Sequence, residues 1–370
     1  MTAASFSEAD SAGSGPGHAS SPAIARRDRL RRLALPVLVV AAIAAACLSA
    51  TVGASDASLL RIVRALAAGE WTDRLAQDRM ILMELRLPRV LMGLLVGASL
   101  AMSGAIMQGL FRNPLADPGL TGVSSGASLG AVLVIILGDR LAAPLMDALG
   151  PFALPIAAFA GGLATTFLLY RIATSGGRTS VAILLLAGIA LAALTGALTG
   201  FLVFIADDRQ LRDLTFWSMG SLAGSSWEKL LAAIPIMLPG LLLAPFLAHG
   251  LNALSLGEAS AFHMGIRIQR LKNIAIASVA AATGAAVALS GGIGFVGIVA
   301  PHLVRMVVGP DHRLLLPASA LTGGILLVLA DSAARTVDAP AELPIGILTA
   351  SAGGPFFLWI LLRNRVRLAA

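Results

Sequence analysis

Apolar residues in this chain run in blocks of about twenty, separated by short breaks of Gly, Pro and Arg, from Leu33 to Leu362. A block of that length matches the thickness of a bilayer's hydrocarbon layer, where only a helix satisfies its own backbone hydrogen bonds. The pattern predicts ten spans, at 33–53, 90–110, 118–137, 150–170, 181–205, 230–248, 274–290, 294–308, 314–334 and 344–362. The third is glycine-rich and the eighth is short. The fold class expected is an all-α integral membrane protein.

Composition supports that class. The mean hydropathy is +0.86, and 57% of the 370 residues are hydrophobic against 13% charged, where a soluble domain carries roughly a quarter charged residues. No long polar insert divides the blocks, so residues 33–365 read as one membrane domain. The net charge of +7 would suggest nucleic acid in a soluble protein. Here the arginines sit in short loops, where they set topology instead. Cys47 is the sole cysteine, which excludes an intramolecular disulfide and leaves it a packing role within the first block.

Residues 1–32 read as a disordered cytoplasmic tail, rich in Ser, Ala and Gly and ending in the cluster Arg26, Arg27, Arg29, Arg31 and Arg32. The block that follows exceeds a signal-peptide core and lacks a strong cleavage site, so it is retained as the first span. Arg363, Arg365 and Arg367 follow the last block. Basic residues at both ends place both termini in the cytoplasm, which requires an even number of spans.

That topology puts residues 54–89 outside, although the segment holds Arg61, Arg64, Arg74, Arg79, Arg86 and Arg89. Asp56, Glu70, Asp73, Asp78 and Glu84 balance most of this charge, as in an amphipathic surface helix. Arg86 and Arg89 flank Leu87-Pro88 at the mouth of a span and oppose the topology rule. They need a compensating role, which an acidic outer partner would supply. Within the spans Asp331 is the main acidic exception, and Arg335 lies one turn away for an ion pair.

The charge-poor interiors disfavour an ion-coupled secondary carrier, the main alternative. The chain has no P-loop, because Lys229 and Lys272 follow Glu228 and Leu271 instead of glycine. No catalytic cluster of His, Asp and Ser is apparent. An ATPase driving transport must therefore be a separate subunit. The longest later polar break, about 249–273, reads as two short helices joined by a glycine on the cytoplasmic side. Its residues Leu256, Gly257, Glu258, Ala259 and Gly265 offer a docking surface for such a subunit, with a mere connector between spans as the alternative. GGIG at Gly291–Gly294 reads as a break between two spans, and Gly97, Gly104 and Gly109 as helix–helix packing contacts.

The run RLPRVLMGLLVGASLAMSGAIMQGLFRNPLADPGLTGVSSGASLGA from Arg86 to Ala131 resembles the signature of FecCD-type permeases of binding-protein-dependent ABC importers. The Leu256-Gly257-Glu258 loop, SGGIGFVGIVAPHLVRMVVGPDHRLLLP from Ser290, and LADSAART with AELPIG between Leu329 and Gly346 resemble the same family. The likeness runs in order from about Leu33 to Arg365 and leaves out the N-terminal tail.

The resemblance implies type II ABC importer architecture, with ten helices per subunit and a homodimer around one pathway in the bacterial inner membrane. Its implied partners are two copies of a cytoplasmic ATPase, which would bind ATP and Mg, and a periplasmic substrate-binding protein. No cofactor, metal or nucleic acid is implied for this chain. Binding-protein docking carries over to Arg86, Arg89 and Arg335. A cytoplasmic gate carries over to Asn113, Pro114 and Leu115 and to Thr179, Ser180 and Val181, for the last three of which an ordinary helix N-cap is the alternative. The implied cargo is an iron chelate, with haem favoured over ferric siderophore and cobalamin by the likeness of GLFRNPLADPGLTGVSSGASLGA and TFWSMGSLAGSSW to haem permeases. His249 and His263 read as solvated loop residues rather than haem ligands.

Overall fold

The computed structural model describes residues 22–53, 61 and 73–368. It is built of helices: α1 (Pro22–Thr51), α2 (Asp73–Met80), α3 (Leu87–Phe111), α4 (Val123–Leu141), α5 (Ala143–Leu149), α6 (Ala153–Ala173), α7 (Val181–Phe204), α8 (Asp208–Met219), α9 (Trp227–Ser255), α10 (Glu258–His263), α11 (Ile268–Ser290), α12 (Val296–Val308), α13 (His312–Ala334) and α14 (Ile345–Leu368). A π-helical turn, Ile81–Arg86, joins α2 to α3.

Each predicted apolar block coincides with a helix. Eight helical segments are long and apolar enough to cross a membrane, and Val123–Gly138 and Val296–Val308 are shorter apolar helices. These two are the third and eighth blocks, whose glycine content and length had set them apart. Helix α9 keeps its course through Pro235, Pro239 and Pro245. Neighbouring helices make such interruptions tolerable in an apolar setting.

Small residues decide which helices meet. A side chain at Gly97 would strike the Gly323 carbonyl oxygen of α13, and one at Gly104 would strike Gly297 of α12. Gly126 and Gly161 exclude each other's side chains in the same way between α4 and α6. Backbones thus approach closely with no side chain between them, the usual means of helix association in lipid. Gly109 packs against the His312 ring. The most enclosed spans are those containing α3 and α11, followed by α13, while α1, α7 and α14 are peripheral. Phe204 and Phe246 are more than four-fifths exposed, as suits side chains facing an apolar solvent.

Four details differ from the sequence-based expectations. Helix α1 begins at Pro22, so that eleven residues of the expected tail, 22–32, are helical, because Pro suits a first helical turn and the Ala-Arg-Leu run after it has high helix propensity. Cys47 is exposed rather than packed, since α1 lies at the edge of the bundle. The segment 249–273 is not a pair of short helices. Its first part continues α9 because Leu247, Ala248, Leu251 and Leu254 form one buried stripe, and only the six residues of α10 form a separate helix. Finally, Asp208–Met219 forms α8, with Asp207 and Gln210 closing a capping box at its start. The tail before Pro22 and most of the segment 54–72, including Asp56, Arg64 and Glu70, lie outside the described residues. At Gly291–Gly294 the chain does break, between α11 and α12.

Candidate functional site

The predicted site residues fall at opposite ends of the bundle. At one end α1 finishes, α3 starts and α13 finishes. Arg86 Nη1 donates to the carbonyls of Ala50 (2.7 Å) and Thr51 (3.0 Å). Arg335 donates from Nη2 to Ser49 Oγ (2.8 Å) and from Nη1 to the Val52 carbonyl (3.0 Å). The Ala50, Thr51 and Val52 carbonyls are ones that a helix C-terminus leaves without intrahelical partners, and cations there complement the negative end of the helix dipole. Both guanidinium groups are buried. The role that topology demanded of Arg86 is therefore at least a structural one, capping α1.

Arg89 completes the cluster. Its Nε lies 3.0 Å from Asp331 Oδ1, and its Nη2 contacts Asp331 Oδ1 at 2.8 Å. Nη1 and Nη2 also reach the two carboxylate oxygens of Glu342, each at 2.9 Å. Asp331 is shared with Arg335, whose Nε lies 3.1 Å from Oδ2, the one-turn pair expected from sequence. Two arginines thus share one enclosed carboxylate, while Glu342, with 38% of its side chain exposed, holds Arg89 from the surface side. Such forked, charge-assisted bonds fix geometry as well as energy.

The other end gathers the loops after α3, α6 and α9. Helix α3 stops at Phe111 with Arg112 in the left-handed region and the Asn113 N–H bonded to the Gln108 carbonyl. Asn113 Oδ1 accepts from the Leu115 N–H at 3.0 Å. Asn113 and Pro114 are exposed, and Leu115 is half-buried. After α6 comes a two-residue hairpin of β1 (Thr174–Ser175) and β2 (Arg178–Thr179). Gly176 and Gly177 both have positive φ, as a tight hairpin turn requires. Ser180 Oγ caps α7 through the Ile183 N–H at 3.4 Å, so Ser180 does serve as an N-cap.

Thr179 is held differently. Its N–H donates to Gln269 Oε1 (2.9 Å), its Oγ1 accepts from Gln269 Nε2 (2.6 Å), and its carbonyl accepts from Lys272 Nζ (2.9 Å). The same Nζ lies 2.8 Å from Glu258 Oε1 on α10. Lys272 is buried and connects the six-residue helix α10 to the hairpin. Glu258, Thr179 and Lys272 face one cleft of about 940 Å³, further bounded by Phe262, His263 and Gly265. Gly257 has φ +105°, a conformation suited to glycine, and sets the sharp exit from α9. Leu256 is exposed and Ala259 also faces the cleft.

Thr179 is therefore brought to Glu258, whereas Pro114, alone of Asn113–Leu115, lines a different cavity, beside Asn252 and His312. Sequence reasoning used Lys272 only to dismiss a P-loop. Its signal was a lysine one turn inside an apolar helix, a position that is costly without a partner. His249 and His263 are exposed, in keeping with a solvated role, and His263 meets only Phe262 edge-on among ring contacts of the described residues.

Residues 39–363 match the model of the FecCD transport family. The chain is 49% identical over 285 residues to the hemin transport system permease protein HmuU of Yersinia pestis, covering 77% of this chain and 84% of that one. It is 48% identical over 283 residues to the cobalamin import system permease protein BtuC of Halobacterium salinarum, covering 76% and 73%. Its fold superposes on a solved metal-chelate type ABC transporter in an inward-facing conformation with a TM-score of 0.77. That match has 34% identity and covers 89% of this chain and 98% of the other.

Proposed function

This chain belongs to the FecCD transport family, and from that premise we propose that it is the permease subunit of an ABC importer moving haem from periplasm to cytoplasm. The likeness to a hemin permease over 84% of that relative's length supports haem, with ferric siderophore and cobalamin as the competing cargoes. Two copies of the chain would enclose the pathway, a separate ATPase would supply the energy, and a periplasmic binding protein would deliver the cargo. In this reading both termini are cytoplasmic and the Glu258 end faces the ATPase.

The single observation that carries the mechanism is the bridge from Glu258 through Lys272 to Thr179. ATPase movement applied to α10 at Leu256–Gly265 reaches the hairpin before α7 through one ammonium group, which holds the Glu258 carboxylate and the Thr179 carbonyl at once. A two-state gate biased in this way needs only a differential contact between its states. Asn113, Pro114 and Leu115 form the second gate segment, meeting a symmetry mate across the dimer axis.

At the opposite end the binding protein docks on the Arg86 end of the bundle. Arg86 and Arg335 contribute by fixing the rim, and Arg89 by direct pairing: its exposed partner Glu342 occupies the position that an incoming carboxylate takes over. Such exchange orients a partner more than it adds affinity. Reconstitution in liposomes with the cognate ATPase and binding protein tests the reading. Haem accumulation that requires both partners and ATP supports it; accumulation of cobalamin but not haem overturns the cargo, and transport without the ATPase overturns the class.

A further inference from the structure

A cleft of about 450 Å³ lies at the same end of the bundle as Glu258 and takes no part in the bridge. Three guanidinium groups line it, from Arg31 on α1, Arg112 after α3 and Arg305 on α12. The one acidic lining residue, Asp311, is already engaged by Asn252 Nδ2 (2.6 Å) and the Arg313 N–H (3.0 Å). Arg305 Nη2 donates to Gln108 Oε1 at 2.7 Å, while its Nη1 is buried without a hydrogen-bond partner. His312, 6% exposed, donates its backbone N–H and Nδ1–H to Asn252 Oδ1 (2.9 and 2.8 Å), which leaves Nε2 as an acceptor packed against Gly109 and no donor to an anion. The Arg305 Nη1 donors, without a partner beside a cleft lined by two further arginines, point to an anion that accepts from them.

A second cavity adjoins the first on the same two helices and has the opposite chemistry. It has a volume of about 270 Å³ and runs between Leu33 and Val37 of α1 and Leu303 and Val307 of α12. Arg31 joins the two, since its Nε donates to the carbonyl of Val308, a residue lining the apolar cavity, at 3.0 Å. A free phosphate would use the basic cleft and have no need of the groove.

We propose that the two cavities together bind one anionic phospholipid, its phosphate among Arg31, Arg112 and Arg305 and an acyl chain in the groove between α1 and α12. Basic pockets between spanning helices recognise anionic headgroups in this manner. The lipid clasps the peripheral helix α1 to α12 and α13. The assignment stands on these residues, and only its placement in the inner leaflet rests on the proposed orientation.

Native mass spectrometry of the delipidated full-length protein in detergent, titrated with phosphatidylglycerol or phosphatidylcholine, tests this. Phosphatidylglycerol is expected to be retained in preference to phosphatidylcholine. Arg112→Gln, at an exposed position, should reduce that retention about fivefold, and Arg112→Lys should restore most of it. Val307→Trp, which fills the groove, should also reduce it, with an unchanged circular dichroism spectrum showing that each variant is folded. Equal retention of the two lipids, or retention indifferent to Arg112→Gln, would overturn the proposal. So would displacement of phosphatidylglycerol by equimolar glycerol 3-phosphate, which would identify a site for a free phosphate ester.

Discussion

The two ends of the bundle handle charge in opposite ways. At the Arg86 end, three arginines conspicuous in the sequence are folded inward, two of them onto the last carbonyls of α1 and two onto the enclosed carboxylate of Asp331. At the Glu258 end, an inconspicuous lysine holds a half-exposed glutamate and a backbone carbonyl beside an open cleft. The first arrangement ties three helices into a rigid rim. The second ties a short helix to a hairpin beside an open cleft. Charge visible in a sequence is therefore not always free charge: Arg86 and Arg335 are engaged in fastening helix ends, while one buried cation that drew no notice joins two distant segments.

The comparison breaks most readily at Asp331. Asp331→Ala leaves Arg89 and Arg335 enclosed without their shared counter-ion, and should destabilise the folded protein by about 3–5 kcal/mol. Thermal unfolding in detergent measures this, and a loss no larger than that of a surface substitution would mean that the rim is not fastened by charge. Gly97→Val comes next. Its side chain would meet the Gly323 carbonyl, and overpacking of this kind should cost about 1–3 kcal/mol while leaving both charged clusters intact. A variant as stable as the parent would show that α3 and α13 can separate without penalty.

The smallest effect on stability is expected at Glu342. Its carboxylate is exposed, so Glu342→Gln should cost under about 1 kcal/mol. Freed of this partner, Arg89 should bind the binding protein more tightly at low salt, and the gain should shrink as salt is raised. Surface plasmon resonance across a salt series checks the trend. Affinity unchanged by Glu342→Gln and by Arg89→Glu would remove Arg89 from docking.

Much of this was legible in the sequence because hydropathy blocks depend on local composition alone. The positions of all ten blocks, the glycine contacts at Gly97 and Gly104, and the Asp331–Arg335 pair follow from spacing within one helix or from residue size. What was not legible depends on contacts between segments distant in the chain. Arg86 caps a helix that ends more than thirty residues earlier, at Ala50 and Thr51. Lys272 reaches back to Thr179, ninety-three positions away. Nothing in the local sequence states such pairings. The extension of α9 through Ser255 was missed for a related reason: its buried stripe is apolar only on one face, so a mean over the segment reads as a polar break.

The most direct test of the account is the number of cargo molecules imported per ATP hydrolysed by Lys272→Met, in liposomes with the ATPase and binding protein. Methionine keeps the length of the stem and removes both bonds of the bridge. The account predicts that hydrolysis persists while import falls by an order of magnitude, with Lys272→Arg keeping part of the coupling. Import and hydrolysis that stay in their original ratio would contradict it.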